Sequence, residues 1–201
     1  MPEPQDPLRR ATALAVEALA RQTPEQLRWL GAEAVEGGWR LPALEAALEA
    51  DLATGRVTAP GGAAASPPWR ILALHYLALA ARPEPLPPQV TFADLSAART
   101  YAGVYRQRAV ARLCATVGRD AERLRAAAVA LGGQTAAGGD AAFDFRVFPR
   151  LPVRLIWHAG DAEFPPDATF LLPANIESFL CIEDIVVLSE RLVARLCGRG
   201  F

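Results

Sequence analysis

The chain has 201 residues, 52% of them apolar and 21% charged, enough for one domain with a substantial core and unlike a disordered chain. Its longest apolar stretch, Ile71 to Ala81, is broken by His75 and falls short of the roughly 20 residues that span a bilayer, so no membrane segment is expected. A formal net charge of −1 removes the electrostatic basis for general nucleic-acid binding.

All 21 positive side chains are arginine, and 41 residues are alanine, a composition that a GC-rich genome produces without selection for guanidinium chemistry. The lack of lysine excludes a Schiff base and a P-loop lysine. The N-terminus, MPEPQDPLRR, carries no apolar segment that would make it a secretory signal. Cys114, Cys181 and Cys197 are widely spaced and form no CxxC, so no zinc knuckle or iron–sulfur site is encoded. A reduced, cytoplasmic protein is expected.

Along the chain, Ala11, Leu14, Ala15, Ala18 and Leu19 keep helical spacing. Thr23-Pro24-Glu25-Gln26 then starts a second helix, with Leu27, Leu30 and Ala34 on one face and Gly37-Gly38 as its end. Between Leu41 and Leu52 the apolar spacing fits either a helix or a strand. Thr54-Gly55 followed by Arg56-Val57-Thr58 favours a hairpin near residues 44–59. Ser66 and Pro67 open the next helix, on which Leu72, His75, Tyr76 and Leu79 share a face.

Thr91-Phe92-Ala93-Asp94 starts a short helix, and two longer ones follow over 101–117 and 119–131, divided by Gly118. Phe143, Phe145 and Val147 alternate with polar neighbours, and Val153 to His158 is β-rich. Pro149 and Pro152 predict a two-strand unit whose strands lie at an edge or end at the bend. Ile182 to Leu196 reads as an amphipathic helix with Glu183 and Asp184 at its positive end. The expected fold is α+β: a mostly helical single domain, residues 1–201, with a small antiparallel β element towards its C-terminal half.

Candidate chemistry centres on His158-Ala159-Gly160-Asp161-Ala162-Glu163-Phe164, an imidazole and two carboxylates at a tight turn after a strand. The set suits a divalent metal or an acid/base pair, or Asp161 and Glu163 serve instead as acceptors for N–H groups of the turn and neighbouring helix ends. His75 stands on an apolar helix face, where a ligand role competes with that of a satisfied core histidine. Seven arginines (99, 106, 108, 112, 119, 123 and 125) face only Asp120 and Glu122, a local charge of +5. Arg108 and Arg112, one turn apart, suit a phosphate or carboxylate, or pair with acids elsewhere. Gly132-Gly133 and Gly138-Gly139 follow a helix and precede a strand, the reverse of a phosphate loop, and are expected as a helix cap and a flexible connection.

Three segments carry a resemblance. They are Ile71 to Leu77 with its Leu-His-Tyr-Leu core, Leu131-Gly132-Gly133 with Gly139-Asp140, and Phe148-Pro149-Arg150-Leu151-Pro152 through Trp157 and Gly160-Asp161-Ala162-Glu163-Phe164-Pro165. Together with Phe179-Leu180 and Glu183-Asp184 they resemble the bacterial and archaeal domain-of-unknown-function family 3786. The resemblance implies no activity. Members are common in anaerobes, often in company with corrinoid or iron–sulfur metabolism, and the cysteine-rich domain that some carry has no counterpart here. Ala162 stands where the family usually has a second acidic residue.

The expected function is that of a cytoplasmic accessory protein binding a small ligand or cofactor, corrinoid-like or an anionic metabolite. His75, Tyr76, Trp157, Asp161, Glu163, Arg108 and Arg112 are its candidate ligand-binding residues, and no catalytic residue or metal site is assigned. The alternatives are a hydrolase or isomerase using Asp161 and Glu163, and a protein-interaction module.

Overall fold

A computed structural model describes residues 7–201. Most of the N-terminal stretch read as lacking a secretory signal lies outside them. The chain divides into two compact units, one running to Arg82 and including Phe201, the other Pro83–Gly200.

In the first unit, helix α1 (Pro7–Leu19) is followed by α2 (Pro24–Trp29). Thr23 caps α2 as expected, its hydroxyl accepting from the Gln26 N–H at 3.1 Å. The helix does not run on to Gly37. Leu30 closes it, Gly31 takes a positive φ of 86°, and Glu33–Val35 is already strand β1. Ala34, expected on the helix, therefore pairs with Trp39 of β2 (Gly38–Ala43).

The hairpin reading of 44–59 holds. Strands β3 (Ala46–Asp51) and β4 (Arg56–Thr58) pair antiparallel and complete a β1-β2-β3-β4 meander. Leu48 and Ala50 are buried and Glu49 between them is exposed, which is strand rather than helix periodicity. Asp51 secures the turn, accepting from the Ala53 N–H at 2.9 Å and the Thr54 hydroxyl at 2.6 Å.

Helix α3 (Pro67–Leu77) starts at Ser66 without a side-chain cap, and Pro67 and Pro68 leave its first two positions with no N–H to satisfy. Its Trp69, Leu72 and Tyr76 pack in a core with Leu27, Leu30, Leu41 and Leu48. The Tyr76 hydroxyl donates to the Leu30 carbonyl at 2.7 Å. Gln22 and Gln26 donate to the carbonyls of Leu77, Leu79 and Ala81, satisfying the chain just beyond α3.

The second unit is built on a five-stranded antiparallel sheet ordered β5-β9-β8-β7-β6. Its strands are β5 (Pro88–Thr91), β6 (Gln134–Thr135), β7 (Ala141–Phe148), β8 (Leu151–His158) and β9 (Asp167–Pro173). The expected two-strand unit, β7 and β8, is thus interior to the sheet and not at its edge, and its strands meet the other alternative by ending at the bend, β7 at Phe148 before Pro149 and β8 starting at Leu151. Pro152 is tolerated because it pairs with Arg146 beside a register shift between Arg146 and Phe148. Phe143, Phe145, Val153, Leu155, Phe170 and Leu172 form the buried face.

Between β5 and β6 lie a 3-10 turn (Phe92–Asp94), α4 (Ala102–Tyr105), a π-helical segment (Arg106–Ala111), α5 (Arg112–Ala115), a 3-10 turn (Val117–Arg119) and α6 (Ala121–Ala130). Helix α7 (Ile182–Leu196) buries Ile185, Leu188 and Leu192, the stripe seen in the sequence. The α+β class holds, with two antiparallel sheets in place of one hairpin and one small β element. None of the described helices is long and apolar enough to cross a membrane.

Candidate functional site

The carboxylate at the centre of the acidic turn is a structural acceptor. Asp161 Oδ1 takes the N–H groups of Glu163 and Phe164, each at 2.8 Å, while the Asp161 N–H donates to the Phe164 carbonyl at 2.8 Å. The hydrogen bonds from Phe164 and then Glu163 hold the Asp161 carboxyl below the usual carboxylate range. Gly160 is needed there, since a Cβ would stand 2.7 Å from the Pro166 nitrogen and 2.9 Å from the Phe164 carbonyl. Glu163 is exposed, and its carboxylate makes no ion pair or hydrogen bond among the described residues.

Trp157 is buried and its indole N–H donates to the Gly118 carbonyl at 2.9 Å. His75 is half-buried on α3 beside the fully buried Tyr76, and both belong to the first unit, whereas Trp157, Asp161, Glu163, Arg108 and Arg112 belong to the second.

Arg108 and Arg112 converge on the acids of α7. Arg108 reaches Glu190 at 2.7 Å and Glu183 at 2.8 Å, and Arg112 reaches Glu190 at 3.4 Å. Arg191 adds a third guanidinium on Glu190 at 2.8 Å. Burial pushes the Glu190 carboxyl up, and the Arg108 hydrogen bond with the Arg191 and Arg108 charges outweighs it, leaving it lower than usual. These two arginines are the paired alternative foreseen for them.

The glycine connection is not flexible in the sense expected. Gly139 has a φ of 54°, and a Cβ on it would collide with the Trp157 carbonyl. Its neighbour Asp140 donates its N–H to that carbonyl at 2.9 Å and accepts from the Ala159 N–H at 2.8 Å. Gly139-Asp140 is thereby stitched to the end of β8. Gly132, with a φ of 74°, closes α6 as expected.

A groove runs along the second unit between the π-helical segment with α5 and the 160–167 loop. One chamber, of about 360 Å³, is lined by Arg106, Val110, Cys114, Arg119, Pro165 and Asp167 among others. It shares Arg119, Pro165 and Pro166 with a chamber of about 350 Å³ under Asp161 and Glu163. Arg106 pairs with Asp167 at 3.3 Å, both ends well exposed. Burial, then the Asp167 charge, raise the Cys114 thiol to about 11 against the opposing pull of Arg106, so it is not a thiolate at neutral pH. Among the described residues no three His, Cys, Asp or Glu are placed to hold a metal ion.

Arg106 and Arg119 are the residues that sequence reasoning counted but did not single out. Nothing in the sequence distinguishes them from their five neighbours. Arg106 is placed by the π turn and Arg119 by the 3-10 turn Val117–Arg119 packed against Trp157, and both appear only in the folded chain.

An α+β protein with a five-stranded antiparallel sheet and an arginine-bearing groove is the class that this geometry defines. Residues 24–195 match the family described as a domain of unknown function (DUF3786), and the chain belongs to that family. No curated protein and no solved structure matches it.

Proposed function

We propose that this protein is a non-catalytic accessory protein that binds a small anionic metabolite in the groove of its second unit. The observation that supports this reading is Arg119, an exposed guanidinium that lines both chambers and has no ion-pair partner among the described residues. A π-helical segment forms the facing wall, and such segments recur at functional sites. Asp161 and Glu163 bound the far end of the groove, so the acidic turn serves as its wall and not as its chemistry. Asp161, held ionised by two main-chain N–H groups, is a weak base and a poor proton donor.

Calorimetric titration with inorganic phosphate and with propionate tests the proposal. Binding of either that is lost in Arg119→Ala, with an unchanged melting temperature, supports it. Failure of both to bind overturns it. A cobalamin titration followed by absorbance checks the corrinoid form of the same reading, for which no residue of the groove offers a specific argument.

A further inference from the structure

The groove has a third chamber, on the other side of Arg106. It measures about 280 Å³, and Arg106 and Val110 line both it and the neighbouring chamber. These two residues stand four apart on the π-helical segment, which places both on the shared wall.

The chemistry of this chamber is different from that of its neighbour. Its lining includes Phe92, Tyr105 and Phe170, which belong to the core and present it with little of their surface, being 2%, 5% and 2% exposed. The Phe92 and Tyr105 rings are stacked at 4.2 Å with 5° between their planes, and Phe170 meets Tyr105 edge-on at 6.4 Å. The Tyr105 hydroxyl is turned away to Ser189 at 2.9 Å, so the aromatic wall offers carbon and not a phenol. An apolar chamber that opens on a single guanidinium suits an apolar group bonded to an anion, since the apolar part leaves water while the charge stays paired.

Arg106 is available for that charge. Its pair with Asp167 spans 3.3 Å with side chains 66% and 54% exposed, and exposed pairs of this kind contribute little. A ligand carboxylate can take the place of Asp167 on Arg106, and the unpaired Arg119 that lines the adjoining chamber adds its charge there.

From this juxtaposition of an aromatic chamber and a weakly held arginine, we infer that the ligand is an amphipathic acid. Its aromatic or branched apolar end occupies the Phe92–Tyr105–Phe170 chamber, and its carboxylate bonds Arg106. The inference rests on the anion-binding reading above and names the class of anion.

The test compares 3-phenylpropionate with propionate by calorimetry on the full chain. The phenyl compound is expected to bind at least about tenfold more tightly. Ala102→Phe, which fills the aromatic chamber from α4, is expected to bring that ratio close to one. Should that variant not melt cooperatively, Ala93→Phe at the same chamber supplies the same readout. Equal binding of the two acids, or a ratio that survives filling of the chamber, overturns the inference while leaving anion binding intact. No binding of propionate, phosphate or the phenyl acid overturns both.

Discussion

The indole of Trp157 and the main chain of Gly118 are joined by a hydrogen bond of 2.9 Å from Nε1 to the carbonyl oxygen. The approach demands glycine: a Cβ at 118 would stand 2.9 Å from the Leu113 carbonyl and 3.2 Å from the indole nitrogen. Trp157 belongs to the central strand β8, and Gly118 lies in the 3-10 turn that carries Arg119. The bond thus anchors the turn from which one of the two groove arginines projects.

Replacing Trp157 by Phe keeps an aromatic ring but leaves the Gly118 carbonyl buried without its donor. A loss of about 1–3 kcal/mol in unfolding free energy is expected, read from urea denaturation. An unchanged midpoint would mean that water or another donor replaces the indole.

The glycine at 139 carries a similar load. Alanine there must adopt a φ of 54° and push against the Trp157 carbonyl, so Gly139→Ala is expected to cost more than about 1 kcal/mol. Gly61 also has a positive φ, of 86°, but opens on free space. Gly61→Ala is the control for backbone strain alone, and its smaller loss in the same denaturation experiment isolates the collision at 139.

These two relationships show where the sequence was legible. Alternation of Phe143, Phe145 and Val147 reads directly as strand β7, because an inward apolar and an outward polar residue take turns along a half-buried sheet. Strand β1 was hidden, because Leu27, Leu30 and Ala34 keep helical spacing and only the left-handed Gly31 breaks it. Strand β9 was hidden for another reason. Its residues Ala168 to Leu172 are apolar or uncharged throughout, so the sequence does not mark the outward positions although burial alternates along the strand. The local half of the acidic turn, Gly160 with Asp161, was readable. Arg106 and Arg119 owe their place to a π turn and to a fold-level approach that no local pattern encodes.

The arginine cluster on α7 yields a prediction with a pH dependence. Glu190 holds Arg108, Arg112 and Arg191, and its carboxyl lies below its ordinary value. A carboxyl with a lowered value in the folded state contributes stability above its unfolded value of about 4.3, and that stability is lost as pH falls through the folded value. Glu190→Gln should lower the melting temperature at pH 7 by roughly 2–6 °C. The difference from the natural chain should shrink below about pH 4. A difference that is constant from pH 7 to pH 3 would show that the charge is not what matters at this position.

The acidic turn separates its two carboxylates. Asp161 Oδ1 closes the 160–166 loop by taking two main-chain N–H groups, whereas Glu163 contributes only its N–H to that arrangement. Asp161→Ala removes the acceptor and should lower the melting temperature. Asp161→Asn keeps an acceptor oxygen of the same reach and should lose less. Glu163→Gln should change stability little. The Asp161 contribution also carries a pH signature. Its carboxyl is lowered by the bonds from Phe164 and Glu163, so the difference between the natural chain and Asp161→Ala is full above about pH 4 and fades as pH falls further. Differential scanning fluorimetry of the three variants between pH 2.5 and pH 8 measures both effects. Equal losses for Asp161→Ala and Glu163→Gln would assign Glu163 to the loop as well, and would remove it from the wall of a binding groove.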